Sequence, residues 1–136
     1  MSELIEVRNL KKYFATPRGA LHAVDDVSFT VAKGKTLGVV GESGCGKSTL
    51  GRTLVHLEES TAGQIIFDGQ DVTRLRGGAL RKFRERAQII FQDPYSSLNP
   101  RMTVEDTLLE ALRLTRKYSR REMNDRVTEI MELVGI

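Results

Sequence analysis

The sequence contains a single cysteine, Cys45, so an internal disulfide framework is excluded and a reducing compartment is indicated. It also has no run of about 18 apolar residues, the length needed for a transmembrane helix. The N-terminal stretch MSELIEVRNLKKYF alternates apolar and charged residues and lacks the apolar centre of a signal peptide. From these absences we expect a cytosolic chain whose association with a membrane would depend on a partner.

Positive charge is in small excess: 21 Lys and Arg against 18 Asp and Glu give a net charge of +3. Such a balance is weak support for a polyanionic partner. The exception is Arg74–Arg86, RLRGGALRKFRER, where six basic residues accompany one acidic residue. We predict a helix from about Gly78 to Arg86 and interpret the basic run as its solvated face, with a nucleic-acid footprint as the alternative.

The hydrophobic pattern of the first 91 residues predicts several strands. Leu4–Leu10 and His22–Val31 alternate apolar and polar residues with a period of two, as half-buried strands do. Thr36–Val40 is a short continuous apolar run, which is typical of a strand buried on both faces. Further strands are predicted at Gln64–Phe67 and Ala87–Phe91.

The last third of the chain carries helix signals. Thr103 with Asp106, and Ser119 with Glu122, match the spacing of a capping box in front of an apolar periodic run, and Gly135 is expected to end the second helix. The predicted apolar faces are Val104, Leu108 and Leu112 in the first helix, and Met123, Val127, Ile130, Met131 and Val134 in the second. Strands followed and joined by helices indicate an α/β fold.

The stretch GESGCGKST, from Gly41 to Thr49, fits the phosphate-binding P-loop pattern G-x-x-x-x-G-K-[ST] and lies between a predicted buried strand and a predicted helix. Glycines let successive backbone N–H groups turn towards phosphate oxygens, and the helix N-terminus adds its dipole. Lys47 would place an ammonium against the phosphates, and Ser48 would offer a hydroxyl to Mg²⁺. The predicted nucleotide-binding residues of this loop are Gly41, Ser43, Gly44, Cys45, Gly46, Lys47, Ser48 and Thr49.

A turn-rich stretch, FQDPYSSLNP at residues 91–100, leaves the predicted strand Ala87–Phe91. Gln92 stands where this strand ends, and its carboxamide could position an attacking water and complete the Mg²⁺ shell. Asp93 and Asn99 each precede proline and are therefore disfavoured in helical conformation, so the segment is predicted to form a shaped loop.

Three segments, KKYF, GESGCGKSTLGR and FQDPYSSLNPRMTV, resemble the ATP-binding subunits of ABC transporters, most closely those of bacterial oligopeptide, dipeptide and nickel importers. The resemblance runs from Leu4 to Ile136. It implies that Tyr13 stacks on adenine and that Gln92, the glutamine of the Q-loop, contacts Mg²⁺ or the lytic water. Tyr13 packed at a strand edge is the alternative.

The resemblance also implies a function, partners and a location. Two Mg-ATP would be held between paired ATP-binding subunits, identical or homologous, which dock on transmembrane permease subunits. A solute-binding protein would be an indirect partner. The complex would import peptides or a related solute, with this subunit peripheral on the cytoplasmic face of the bacterial inner membrane. Tyr95, Leu98 and Met102 would give the loop apolar contacts for a partner helix, although local packing explains them equally well.

Other family motifs are not found in the sequence. It has no LSGGQ-type signature and no apolar strand ending in Asp-Glu, the Walker B element, and its two histidines, His22 and His56, lie before or beside the P-loop. We therefore expect a partial ABC-type nucleotide-binding domain, truncated before the signature and Walker B. Its predicted parts are a β subdomain with the P-loop core (1–91), the Q-loop (92–102) and the start of a helical subdomain (103–136).

Two consequences follow from the missing motifs. ATP hydrolysis belongs to the full-length family, but we expect no enzyme-like turnover from residues 1–136 alone. In the related core, Thr36–Val40 and Ala87–Phe91 flank later strands, so we expect both segments to lack sheet neighbours here.

Two alternative functions stay open. One is a soluble ABC-type ATPase that acts on nucleic acid or in translation, and the other is a truncated nucleotide-binding module without turnover.

Overall fold

The computed structural model describes residues 2–136. The chain forms two compact units, one ending at Ile89 and one comprising Ile90–Ile136. The first contains strands β1 (Glu3–Thr16), β2 (Gly19–Ala32), β3 (Ala62–Phe67) and β4 (Gln70–Asp71) with helices α1 (Lys47–Leu54) and α2 (Gly77–Arg86). The second contains α3 (Pro94–Ser97), α4 (Val104–Thr115) and α5 (Arg120–Val134). The predicted α/β class is confirmed.

The four strands of the first unit form one antiparallel sheet in the order β2-β1-β3-β4. The alternating residues of β1 and β3 turn one face towards α1 and α2, which gives this unit its apolar core. β1 and β2 are longer than predicted because a two-residue turn, Pro17-Arg18, joins them directly. The buried core residues are Val7, Leu10, Val24, Leu50, Ile65, Phe67, Val72 and Phe83.

The two predicted strands that flank the loops of interest are not formed. Among residues 2–136, neither Thr36–Val40 nor Ala87–Phe91 pairs with another strand. An extended apolar segment becomes a strand only when neighbouring backbone accepts its hydrogen bonds, and the four strands here are paired with one another. The expectation that both segments would lack sheet neighbours is confirmed, and Val40 and Ile90 are 92% and 98% exposed.

The second unit follows its capping signals. Thr103 and Asp106 form a reciprocal capping box at the start of α4, as Ser119 and Glu122 do at α5, so both predicted boxes are confirmed. Gly135 ends α5 in a left-handed conformation, as predicted. Of the apolar positions, Val127 is buried, Leu108, Leu112, Met123, Ile130 and Met131 are half-buried, and Val104 and Val134 are exposed, against prediction.

Helical spacing places Val104 and Val134 on apolar faces, yet each occupies an end of its helix. Val104 is the first residue of α4 and Val134 the last of α5. Periodicity predicts which side of a helix a residue occupies, but the facing helix has to extend far enough to cover it.

Gly63 lies in β3 at the point where the pairing of β3 with β1 shifts in register. Asn9, in the same part of β1, has a positive φ of 48°. A Cβ on Gly63 would come within 2.6 Å of the Leu10 Cα and 2.7 Å of the Arg8 carbonyl oxygen, both backbone atoms. Gly69, in the β3–β4 turn, has a similar φ of +79° but open space around it.

We predict that Gly63→Ala lowers the free energy of unfolding by about 2–5 kcal/mol, since backbone strain adds to overpacking. Gly69→Ala, the matched control, meets only the strain and should cost about 1–2 kcal/mol. Urea unfolding followed by circular dichroism measures both. Equal losses in the two variants would contradict the proposed packing of Gly63.

Candidate phosphate-binding site

The predicted P-loop is an exposed turn that leads directly into α1. The first helical residue is Lys47, and the preceding Gly46 has a φ of 98°, in the left-handed region. A side chain at Gly46 would overlap the carbonyl oxygen of Ala23 in β2. Glycine is therefore required here by both backbone conformation and space.

The start of α1 is open to an anion. Among the described residues, none caps this helix end with a side chain, and no acidic residue lies in its first turn. The N–H groups of a first helical turn have no partners within the helix, and the helix dipole makes this end partially positive. An approaching phosphate would therefore meet unused donors and a favourable field.

The Lys47 ammonium is folded back onto its own loop. Its Nζ donates hydrogen bonds to the carbonyl oxygens of Gly41, at 2.6 Å, and Glu42, at 2.8 Å, and lies 3.4 Å from Cys45 Sγ. These are neutral acceptors, and the contacts are exposed to solvent. Because phosphate oxygens carry full negative charge, they would be stronger acceptors for the same ammonium.

The other loop residues form a tight turn. Cys45 N–H donates to the Glu42 carbonyl oxygen at 3.2 Å, and a Cβ on Gly41 would stand 2.6 Å from Cys45 Sγ, so the loop folds tightly on itself. Ser43, Gly44 and Ser48 are exposed, whereas Thr49 is half-buried. The Ser48 hydroxyl, one residue into α1, is available to a cation that accompanies a phosphate.

No cluster of three or more His, Cys, Asp or Glu side chains suited to a metal ion occurs in the part of the chain that the structure describes. This arrangement differs from a dedicated protein cage for a metal. Mg²⁺ commonly keeps waters and phosphate oxygens as ligands and takes only one or two from protein. A Ser48 hydroxyl beside the phosphate cradle is compatible with that kind of shared coordination.

Tyr13 lies in β1, in the same unit as the P-loop, and its ring is stacked on His22 of β2 with centroids 3.8 Å apart and planes 11° from parallel. Its hydroxyl donates a hydrogen bond to Asp25 Oδ1 at 2.5 Å. This hydrogen bond is the main cause that raises the pKa of Tyr13 and lowers the pKa of Asp25. Near neutrality the hydroxyl therefore stays protonated and the carboxylate ionised.

His22 and Asp25 were not among the predicted site residues. The alternation of apolar and polar residues in β1 and β2 does not tell which residues of the two strands are paired. The two-residue turn does, because it pairs Thr16 with Gly19, and counting outwards from that pair places Tyr13 opposite His22. That turn was the signal from which the stack could have been found.

Gln92 is exposed in the second unit, just before Asp93. Asp93 adopts an extended conformation, accepts a hydrogen bond from the Tyr95 N–H at 2.9 Å and caps the short helix α3. This contact and one with Ser96 lower the pKa of Asp93, with Ser96 the larger cause. The predicted shaped loop is thus formed, and the role of Gln92 at a nucleotide stays a proposal.

None of the helices within residues 2–136 combines the length and apolarity that crossing a membrane requires.

Comparison with known proteins points to one family. The family model described as ABC transporter matches residues 24–136. The oligopeptide transport ATP-binding proteins OppF and AppF of Bacillus subtilis are 49% and 46% identical to this chain, each over 98% of it. OppF of Lactococcus lactis is 41% identical over 100% of the chain. The chain spans 43–45% of the length of these three relatives.

Solved structures agree on the fold. A bacterial ABC transporter cassette determined as a dimer superposes with a TM-score of 0.76 at 24% identity, covering 97% of this chain and 57% of that one. The cbiO1 protein of Clostridium perfringens, part of the ABC transporter complex cbiONQ, gives a TM-score of 0.72 at 25% identity, covering 100% and 52%. With the family match extending over most of its residues, the chain belongs to the ABC transporter family.

Proposed function

We propose that this chain forms the ATP-binding surface of a subunit that powers import of peptides or a related solute by an ABC transporter. The observation that carries the proposal is an uncapped start of α1 beside the Lys47 ammonium, whose partners are carbonyl oxygens, in a chain 49% identical to an oligopeptide transport ATP-binding protein. The whole relatives are longer than this chain, so transport activity is proposed for the complete subunit.

The ligands in this proposal are ATP and Mg²⁺. ATP supplies the phosphoanhydride bond, and Mg²⁺ neutralises part of the negative charge of the phosphates. The backbone N–H groups from Gly41 to Thr49 bind phosphate oxygens, Lys47 exchanges its carbonyl contacts for phosphate, and Ser48 and Gln92 are ligands of the cation. Tyr13 stacks on the adenine. Gln92 also orients the attacking water, which makes it the proposed catalytic residue of this chain.

The proposed partners are permease subunits and a second ATP-binding subunit, with a solute-binding protein as an indirect partner. On this proposal the subunit is peripheral to the cytoplasmic face of the bacterial inner membrane. Tyr95 and Leu98, which follow Gln92 in the chain, are 92% and 59% exposed, and such exposed apolar side chains suit contact with a partner helix.

The nucleic-acid alternative finds little support in the basic run. Four of its arginines contact the protein itself: Arg74 and Arg84 donate to the carbonyl oxygens of Ser60 and His56, at 3.0 and 2.9 Å. Arg76 and Arg86 form ion pairs with Glu59 and Asp68. These contacts favour a structural role for the run, and a DNA- or RNA-binding assay at several salt concentrations discriminates between the two readings.

We predict that Lys47→Ala weakens Mg-ATP binding at least about tenfold, because a charge-assisted contact is worth about 1.5–3 kcal/mol. Lys35→Ala, which removes an exposed lysine from the same unit, should leave the affinity unchanged. Isothermal calorimetry of both variants measures this. An unaltered dissociation constant for Lys47→Ala would refute the phosphate site.

We predict that Gln92→Ala, in the complete subunit with its permease, lowers coupled transport more than ATP affinity, since Gln92 is not one of the loop residues from Gly41 to Thr49 that are proposed to bind phosphate. Gln88→Ala, an exposed glutamine four residues earlier, serves as control. Transport into vesicles and nucleotide affinity are measured on the same preparations. Equal loss of affinity and transport would make Gln92 an ordinary ligand residue.

We predict that saturating Mg-ATP slows maleimide alkylation of Cys45, because its loop would wrap the phosphates. Cys45 is the only cysteine, so intact mass reports this one site. In Lys47→Ala, the same ATP concentration should protect Cys45 much less. Labelling of the wild-type protein that does not respond to Mg-ATP would argue against the placement of Cys45 in the nucleotide site.

A further inference from the structure

One carboxylate, that of Asp25, lies beside both rings of the Tyr13–His22 stack. Asp25 accepts the Tyr13 hydroxyl through Oδ1, and its Oδ2 lies 3.6 Å from His22 Nδ1. The rings face each other across the β1–β2 hairpin, where their Cα atoms are register partners. Two side chains of β2 thus contact the Tyr13 side chain, one at its ring and one at its hydroxyl.

We infer that His22 and Asp25 are positioning residues that hold the Tyr13 ring as a preformed platform for the base of the bound nucleotide. The inference rests on the proposed function, in which a nucleoside triphosphate occupies the P-loop. What it adds is a role for His22 and Asp25: His22 covers one face of the tyrosine ring, and the base stacks on the other.

On this proposal, the base occupies the face of Tyr13 opposite His22. Within residues 2–136, His22 is the only ring stacked on Tyr13, and no cation lies over it; Lys12 instead covers Phe14. Stacked aromatic rings are favoured in parallel offset geometry, and an adenine added to the open face would extend the stack from two rings to three.

The platform is connected to the phosphate cradle through the backbone. Ala23 follows His22 directly, and its carbonyl oxygen is the atom against which Gly46 packs. The strand that carries His22 is therefore in contact with the residue that immediately precedes α1. The base of a nucleoside triphosphate would meet the Tyr13 ring, and its phosphates would meet the P-loop. The contact between Ala23 and Gly46 already sets the distance between these two surfaces.

The expected energetic advantage is preorganisation. An unsupported surface tyrosine samples several rotamers and loses that freedom when a base stacks on it. A ring already held by His22 and Asp25 has lost most of that freedom before binding. Removing His22 should therefore weaken binding of the base and leave the phosphate contacts intact.

The test compares two ligands, Mg-ATP and Mg-tripolyphosphate, by calorimetry on the wild-type protein and on Tyr13→Ala, His22→Ala and His22→Phe. We expect His22→Ala to weaken Mg-ATP binding about 3- to 10-fold, in line with the worth of an aromatic pair, without changing tripolyphosphate binding. His22→Phe, which keeps a ring at this position, should restore the ATP affinity. Tyr13→Ala should lose at least as much ATP affinity as His22→Ala.

Asp25→Ala supplies a second, independent variant, since it removes the carboxylate and leaves both rings. It should also lower the ratio of ATP to tripolyphosphate affinity. His22 and Asp25 have half-exposed side chains, at 50% and 52%, so both variants are expected to fold, which circular dichroism verifies.

Three results would overturn the inference. An unchanged ATP affinity in both His22→Ala and Asp25→Ala would show that Tyr13 needs no support. Equal weakening of both ligands would indicate a general structural role. A loss that His22→Phe fails to restore would exclude stacking. If the wild-type protein bound neither ligand, the proposed function itself would fail, whereas binding of both ligands with unaffected variants would defeat only the platform.

Discussion

The Ala23 carbonyl oxygen leaves no space for a side chain on Gly46, and much of the candidate site depends on this close approach. Gly46 is both the last residue of the phosphate loop and the residue that precedes α1, so its position sets where the helix starts and where its free N–H groups lie. The same contact joins the loop to β2, which carries His22 beside Ala23. One backbone contact therefore relates the phosphate cradle to the aromatic stack.

The Lys47 contacts bear on how the proposed site would receive an anion. Its ammonium is held by two carbonyl oxygens of the loop, so the charge already lies at the cradle and is only weakly compensated. A phosphate would replace neutral acceptors with charged ones and would also meet the unpaired N–H groups at the start of α1. The Lys47 ammonium and the N–H groups at the start of α1 would thus bind the same phosphate, each contributing a modest interaction.

Features that depend on residues close in sequence could be predicted. The turn into α1 after Gly46, the two capping boxes and the Gly135 helix end each involve a few neighbouring residues, and the structure has them where the sequence indicates. The strands predicted at Thr36–Val40 and Ala87–Phe91 were wrong as strands because pairing depends on distant backbone. His22 was missed for a related reason: alternation gives the face of a residue but not its cross-strand neighbour. The basic run Arg74–Arg86 was visible as composition, whereas its ion pairs with Glu59 and Asp68 required the fold.

The most direct test of the account is a crystal structure of the protein with Mg²⁺ and a non-hydrolysable ATP analogue. The account predicts that Lys47 Nζ leaves the carbonyl oxygens of Gly41 and Glu42 and binds phosphate oxygens. The triphosphate should lie against the N–H groups of residues 44–49, with the base on the face of Tyr13 opposite His22. An analogue bound elsewhere, or a Lys47 ammonium still bonded to Gly41 and Glu42 beside a bound triphosphate, would contradict it.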